Sequence, residues 1–123
     1  DHASSVAKQA RKLAPVANVE AATKLVEMGR LTSTLTREVL RALVDQDEAL
    51  ARSVAARDDQ VDDLYHGIFA DMLDLMRADP TNVDQGTRVI FAAHYLERIG
   101  DRVTNVAEDV VFLATGETED LNS

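Results

Sequence analysis

Cysteine and tryptophan are absent from the sequence, and phenylalanine, tyrosine, glycine and proline are scarce. Without cysteine there is no disulfide, no thiolate metal ligand and no cysteine nucleophile. Two prolines and five glycines in 123 residues are too few for the many turns of a sandwich or barrel. An aromatic share of 4% leaves Ala, Val and Leu to build the core, which suits helix packed on helix. No apolar run approaches the ~18 residues of a membrane span, so membrane insertion is not expected. Basic residues are outnumbered 13 to 22, and the formal charge is −9. Such a surface repels phosphate backbones, which excludes nucleic acid as the expected partner, and attracts cations or basic surfaces. Neither a glycine-rich phosphate loop nor a nucleophile elbow is present, so no enzymatic centre is expected. A chain free of cysteine is compatible with the cytoplasm, the location expected here.

What is present is helical periodicity. Val89, Ala92, Leu96, Ile99, Val103, Val106, Val110 and Leu113 repeat in steps of three and four, as one face of a helix of about seven turns does. Beside them run an acidic set, His94, Glu97, Asp101, Thr104 and Glu108, and a small set, Ala93, Gly100, Ala107 and Ala114. At roughly 100° per residue these read around the helix as apolar, then small, then acidic. The acidic set is expected away from the core. The small set is expected to admit another backbone, within the bundle or from another chain. Gly100 costs roughly 1 kcal/mol against alanine in a helix interior, so packing or function should account for it.

In chain order, residues 1–13 read as the end of a helix that Pro15 stops. Asp1, Val6 and Ala7 match Asp101, Val106 and Ala107, which suggests that the chain starts late in an earlier copy of one motif. Asn18 is the expected N-cap of a helix to about residue 45, with fraying or a bend expected over Thr32-Ser33-Thr34 and Thr36. Asp45-Gln46-Asp47-Glu48 fits a capping box, with Asp45 as cap, opening a helix to about Ala78. Leu50, Val54, Val61, Leu64, Ile68, Met72 and Leu75 form its stripe. Asp79-Pro80-Thr81-Asn82 is a break, Asn82 or Asp84 can cap the last helix, and Gly116 ends it. The expected fold is all-α: a three-helix bundle over residues 16–116, a helical stub of a truncated first repeat over 1–15, and a frayed acidic tail over 117–123.

The residues able to carry chemistry are carboxylates. Glu97 and Asp101 lie four apart on one helix face, as do Asp58 and Asp62 on the preceding helix. If those helices pack side by side, the four can face one site. Asp59, Asp63 and His66 lie further round, towards solvent. Carboxylates with an occasional imidazole suit hard or borderline cations. The competing reading is a solvated acidic face, paired by Arg57, Arg98 and Arg102, that serves as a docking surface. A di-iron carboxylate enzyme is the third reading. Its Glu-x-x-His signature has one analogue here, Asp63-Leu64-Tyr65-His66, without the matching second copy.

Leu96-Glu97-Arg98-Ile99-Gly100-Asp101 followed by Asn105-Val106-Ala107-Glu108 resembles the signature of the PhoU family of phosphate-signalling regulators. Arg57-Asp58-Asp59-Gln60-Val61-Asp62-Asp63-Leu64-Tyr65 resembles the matching helix of that family, and Asp1-His2-Ala3 with Val6-Ala7 the end of its first motif copy. One departure is Arg102, where the family commonly has histidine. The resemblance implies a fold of two similar three-helix bundles, of which this chain holds the second and the end of the first. It implies a negative regulator of phosphate uptake, an adaptor between the phosphate ABC transporter and a sensor histidine kinase, often a homodimer. It also implies a metal cluster, iron or zinc, on Glu97 and Asp101 and on Asp58 and Asp62. By the same resemblance Asp1, Asn105, Glu108, Asp59 and Asp63 are secondary candidates.

Overall fold

Buried side chains alternate in steps of three and four along each of three long helices, and that alternation generates the architecture. A computed structural model of the protein describes residues 19–121. It contains α1 (Val19–Asp45), α2 (Glu48–Ala78) and α3 (Val83–Thr115), with a single 3-10 turn, Pro80–Asn82, before α3. There is no strand among the described residues. The stub expected over residues 1–15, with Asp1, lies outside the described residues.

On α1 the seam is Ala21, Leu25, Met28, Thr32, Leu35, Val39 and Ala42; on α2 it includes Ala51, Val54, Asp58, Val61, Ile68 and Met72. On α3 it is Gly86, Val89, Ala93, Leu96, Gly100, Val103, Ala107 and Val110. A three-four alternation is the seam of bundles whose helices pack with knobs in holes. The Lys24–Asp71 and Glu38–Arg57 ion pairs show α1 and α2 running antiparallel, because the partner number falls as the α1 number rises. The α2–α3 interface is the most extensive.

The α3 stripes expected from sequence are redistributed. The seam takes alternate members of the large apolar set and the small set. Ala92, Ile99 and Val106 are half-buried flanks, and Leu113 at the end is 63% exposed. The reason is that α3 is wedged between two neighbours, and its small residues let α2 approach closely. The small set therefore packs within the bundle, except Ala114, which is exposed.

Local chemistry decides the ends. The α1–α2 cap is Asp47, not Asp45: its Oδ1 accepts the Leu50 N–H at 3.0 Å. Asp45 is the last residue of α1, and Gln46 adopts φ 53°. The Asp47 N–H reaches the Ala42 carbonyl at 2.9 Å and that of Gln46 reaches Leu43 at 3.4 Å. These are the two bonds of a Schellman ending, closed here by glutamine rather than glycine. Asn82 sits at the α3 cap position without a side-chain cap bond. Asp79 instead holds the 3-10 turn, accepting from the Thr81 N–H at 3.0 Å and its hydroxyl at 2.8 Å. Gly116 ends α3 as expected, at φ 76°.

The threonines of α1 neither fray nor interrupt it. Thr32 donates to the Met28 carbonyl at 2.9 Å and Thr36 to that of Thr32 at 2.7 Å, so the buried hydroxyl is satisfied inside the helix.

Gln46 holds a left-handed conformation that glycine adopts without penalty. Gln46→Gly should raise the free energy of unfolding by about 1 kcal/mol. Asp47→Ala should lower it by about 1 kcal/mol. Urea denaturation with unchanged slope checks both.

Candidate metal centre

The site begins with a carboxylate at a core position. Asp58 occupies the α2 seam between Val54 and Val61 and is 2% exposed. Its Oδ2 accepts the Thr104 hydroxyl of α3 at 3.2 Å. Its Oδ1 lies over Gly100: a Cβ there would come within 2.5 Å of Oδ1 and 3.5 Å of Val61 Cγ1. Glycine is thus required at 100 by the side chain opposite, which accounts for a residue otherwise unfavourable in mid-helix.

Asp62 follows one turn along α2, half-buried, and Asp101 follows Gly100 on α3. Carboxylate oxygens of Asp58, Asp62 and Asp101 lie within 4.8 Å of one another. They line a cleft of about 200 Å³ together with Thr104, Asn105, Glu108 and Asp120. Among the described residues, none that lines it is basic. Burial, then the Asp101 charge, then Asp59, push the Asp62 carboxyl above its ordinary range. Burial first, then Asp101, do the same to Glu97, with His94 opposing.

The sequence-predicted residues separate into groups. Asp58, Asp62 and Asp101 meet; Asn105 and Glu108 line the same cleft. Glu97 sits one turn before Asp101, half-buried, near enough to feel Asp101 and Asp62 but outside the cleft lining. Asp59 and Asp63 are exposed, as is His66, so the Asp63–His66 pair faces solvent. Tyr65 lies between His66 and His94, with ring centroids 5.7 and 6.1 Å away. The acidic set of α3 does not simply face away from the core, because Thr104 is buried against Asp58. Arg57, a candidate partner for these acids, instead forks Glu38 at 2.9 and 2.7 Å. Arg98 and Arg102 are exposed.

Sequence reasoning missed Asp120. Residues 117–121 of the tail expected to fray over 117–123 fold back instead; the last two lie outside the described residues. Glu119 accepts both Arg52 Nη groups at 2.7 and 2.8 Å, the Leu121 N–H donates to Glu108 Oε2 at 3.1 Å, and the Leu121 side chain packs on the core. The one signal was Leu121, a lone apolar residue in a polar stretch.

Two outcomes follow from the packing and the charges. Gly100→Ala should destabilise by about 1–2 kcal/mol net, since Asp58 is short and buried and cannot swing clear. Gly67→Ala, whose added Cβ meets only the flexible Lys24 side chain, at 3.4 Å from Nζ and 3.7 Å from Cδ, should stabilise by up to about 1 kcal/mol. Thermal denaturation of both variants tests the contrast. The raised carboxyls of Asp62 and Glu97 mean that the folded state holds their protons more tightly than the unfolded chain. Their contribution is therefore present at acid pH and lost as pH rises through their folded values, above the ordinary 3.8 and 4.5. Glu38, lowered mainly by its hydrogen bonds from Arg57, has the opposite sign and loses its contribution as pH falls. Metal-free Asp62→Asn should thus lose less stability than the parent between about pH 4 and 7, and gain roughly 0.5 kcal/mol at neutrality. A parallel pair of stability–pH curves would contradict it.

The PhoU domain family matches residues 25–110. Curated relatives named phosphate-specific transport system accessory protein PhoU homolog match over most of the chain. The one from Clostridium acetobutylicum is 38% identical over 122 residues, 99% of this chain and 56% of the relative. That from Caulobacter vibrioides strain NA1000 is 38% identical over 118 residues, 95% and 51%. That from Streptococcus pneumoniae serotype 4 is 30% identical over 122 residues, 99% and 56%. The chain spans about half the length of these relatives. No solved structure gives a significant match. The extent of the domain match, over a bundle of three helices, establishes that this chain belongs to the PhoU family.

Proposed function

We propose that the chain is a metal-binding unit of a regulator that attends phosphate transport and acts without enzymatic chemistry. The observation that carries this reading is the convergence of Asp58, Asp62 and Asp101 from two helices onto one cleft that has no basic lining among the described residues. The names of the relatives, accessory proteins of a phosphate-specific transport system, supply the process. In the cytoplasm the protein, as a homodimer, would signal between the phosphate ABC transporter and a sensor histidine kinase, restraining the phosphate response when phosphate is plentiful.

The donor set fits a cation. All its atoms are oxygens, from the three aspartates, the Thr104 hydroxyl, Asn105 and Glu108. Such a set suits hard cations such as iron(III); zinc accepts carboxylate oxygen too but more often adds nitrogen or sulfur ligands. The missing Cβ at Gly100 leaves room for the Asp58 carboxylate at the cleft. A bound cation would offset the burial and, after it, the like-charge repulsion that raise Asp62 and Glu97. Glu97, with His94 beside it, would extend the site to a second metal on the outer side of Asp101.

Metal content by mass spectrometry tests the reading, on protein purified without chelator or nickel resin. Iron or zinc should accompany the parent, and retention should fall by roughly ten-fold or more in Asp62→Asn/Asp101→Asn with helicity unchanged. Metal-free parent protein, or full retention in the double variant, would sink the proposal. The helical docking module would then be the better reading.

A further inference from the structure

The segment after α3 turns back at Gly116 and is tied on both sides of Asp120. On one side Glu119 is held by both Nη groups of Arg52, whose Nε is itself fixed by Glu48 at 2.8 Å. On the other, the Leu121 N–H binds Glu108 and the Leu121 side chain packs on the core. Between these anchors Asp120 lines the cleft of Asp58, Asp62 and Asp101. Holding a further carboxylate against a cleft that is already acidic is unfavourable unless a cation joins them. The anchors keep it there, and one of them engages Glu108, itself a wall of the cleft.

We propose that residues 117–121 are a strap that completes the cation site, with Asp120 as its ligand and the Arg52–Glu119 pair as its latch. The inference rests on the metal-binding reading above. Loading the site and ordering the strap are then one equilibrium. A cation tightens the strap, and whatever draws the strap away from Arg52 weakens the hold on the cation. The half-buried Arg52–Glu119 latch is the contact through which that pull acts.

The test uses the full chain loaded with iron(III) as its citrate complex. The citrate concentration that strips half the iron reports affinity, and amide hydrogen exchange over residues 117–121 reports the strap. Asp120→Asn and Arg52→Glu should each weaken retention by roughly ten-fold. Arg52→Glu should also speed exchange in the strap, and Arg52→Glu/Glu119→Arg should restore both. Iron should slow exchange in the strap of the parent. Unchanged retention in Asp120→Asn and Arg52→Glu, with the parent binding iron, overturns the strap alone. A parent that binds no iron overturns the metal-binding reading and the strap with it.

Discussion

A carboxylate standing at a core position of α2 is the constraint on which the rest depends. Asp58 replaces an apolar knob in the seam, and a buried charge is tolerated only when hydrogen bonds or an opposite charge join it. Thr104 donates to one oxygen, and Gly100 leaves room for the other. Both come from α3, four residues apart on one face, so the register between α2 and α3 is set by a single side chain. A slip by one turn would place an apolar side chain over the Asp58 carboxylate. The polar residue specifies the packing at a cost in stability, as a polar seam residue does in a coiled coil.

From that register the cleft follows. Once Asp58 faces Gly100, the next turn of α2 brings Asp62 close to Asp101, and the two turns beyond Gly100 on α3 bring Thr104, Asn105 and Glu108 alongside. The same register draws Met76 over Gly86 at the far end of the pair, where an added Cβ would meet the Met76 Cγ at 3.0 Å. A long flexible thioether can yield there, and a short buried aspartate cannot, so the two close approaches differ in rigidity. Three basic residues are committed elsewhere: Lys24 to Asp71, Arg57 to Glu38, Arg52 to Glu48 and Glu119. These pairs brace the bundle from the outside and leave the cleft negative.

Much of this was legible along the chain. The three helices and their polar breaks follow from periodicity, and Gly116 marks the end of α3 because a left-handed residue is needed there. The pairs Asp58/Asp62 and Glu97/Asp101 were visible as four-residue spacings. Their sorting was not. Spacing puts Glu97 and Asp101 on one face, yet the crossing of α2 brings only Asp101 into the trio. Spacing points to Asp45 as the cap, yet the cap is Asp47, the residue after the one that turns left-handed. The hydroxyls of Thr32 and Thr36 read as helix breakers until their bonds to preceding carbonyls are seen.

By itself the sequence determined the helical class, the approximate bounds of the helices and the acidic character of one face, because propensity, periodicity and composition act over a few residues. The tertiary structure alone decided that Asp58 is buried, that Gly100 belongs to it, that Thr104 serves it, and that Asp120 returns to the same cleft. Those depend on contacts between residues more than ten positions apart. Such contacts are set by how three helices wedge together and by where an ion pair catches the tail.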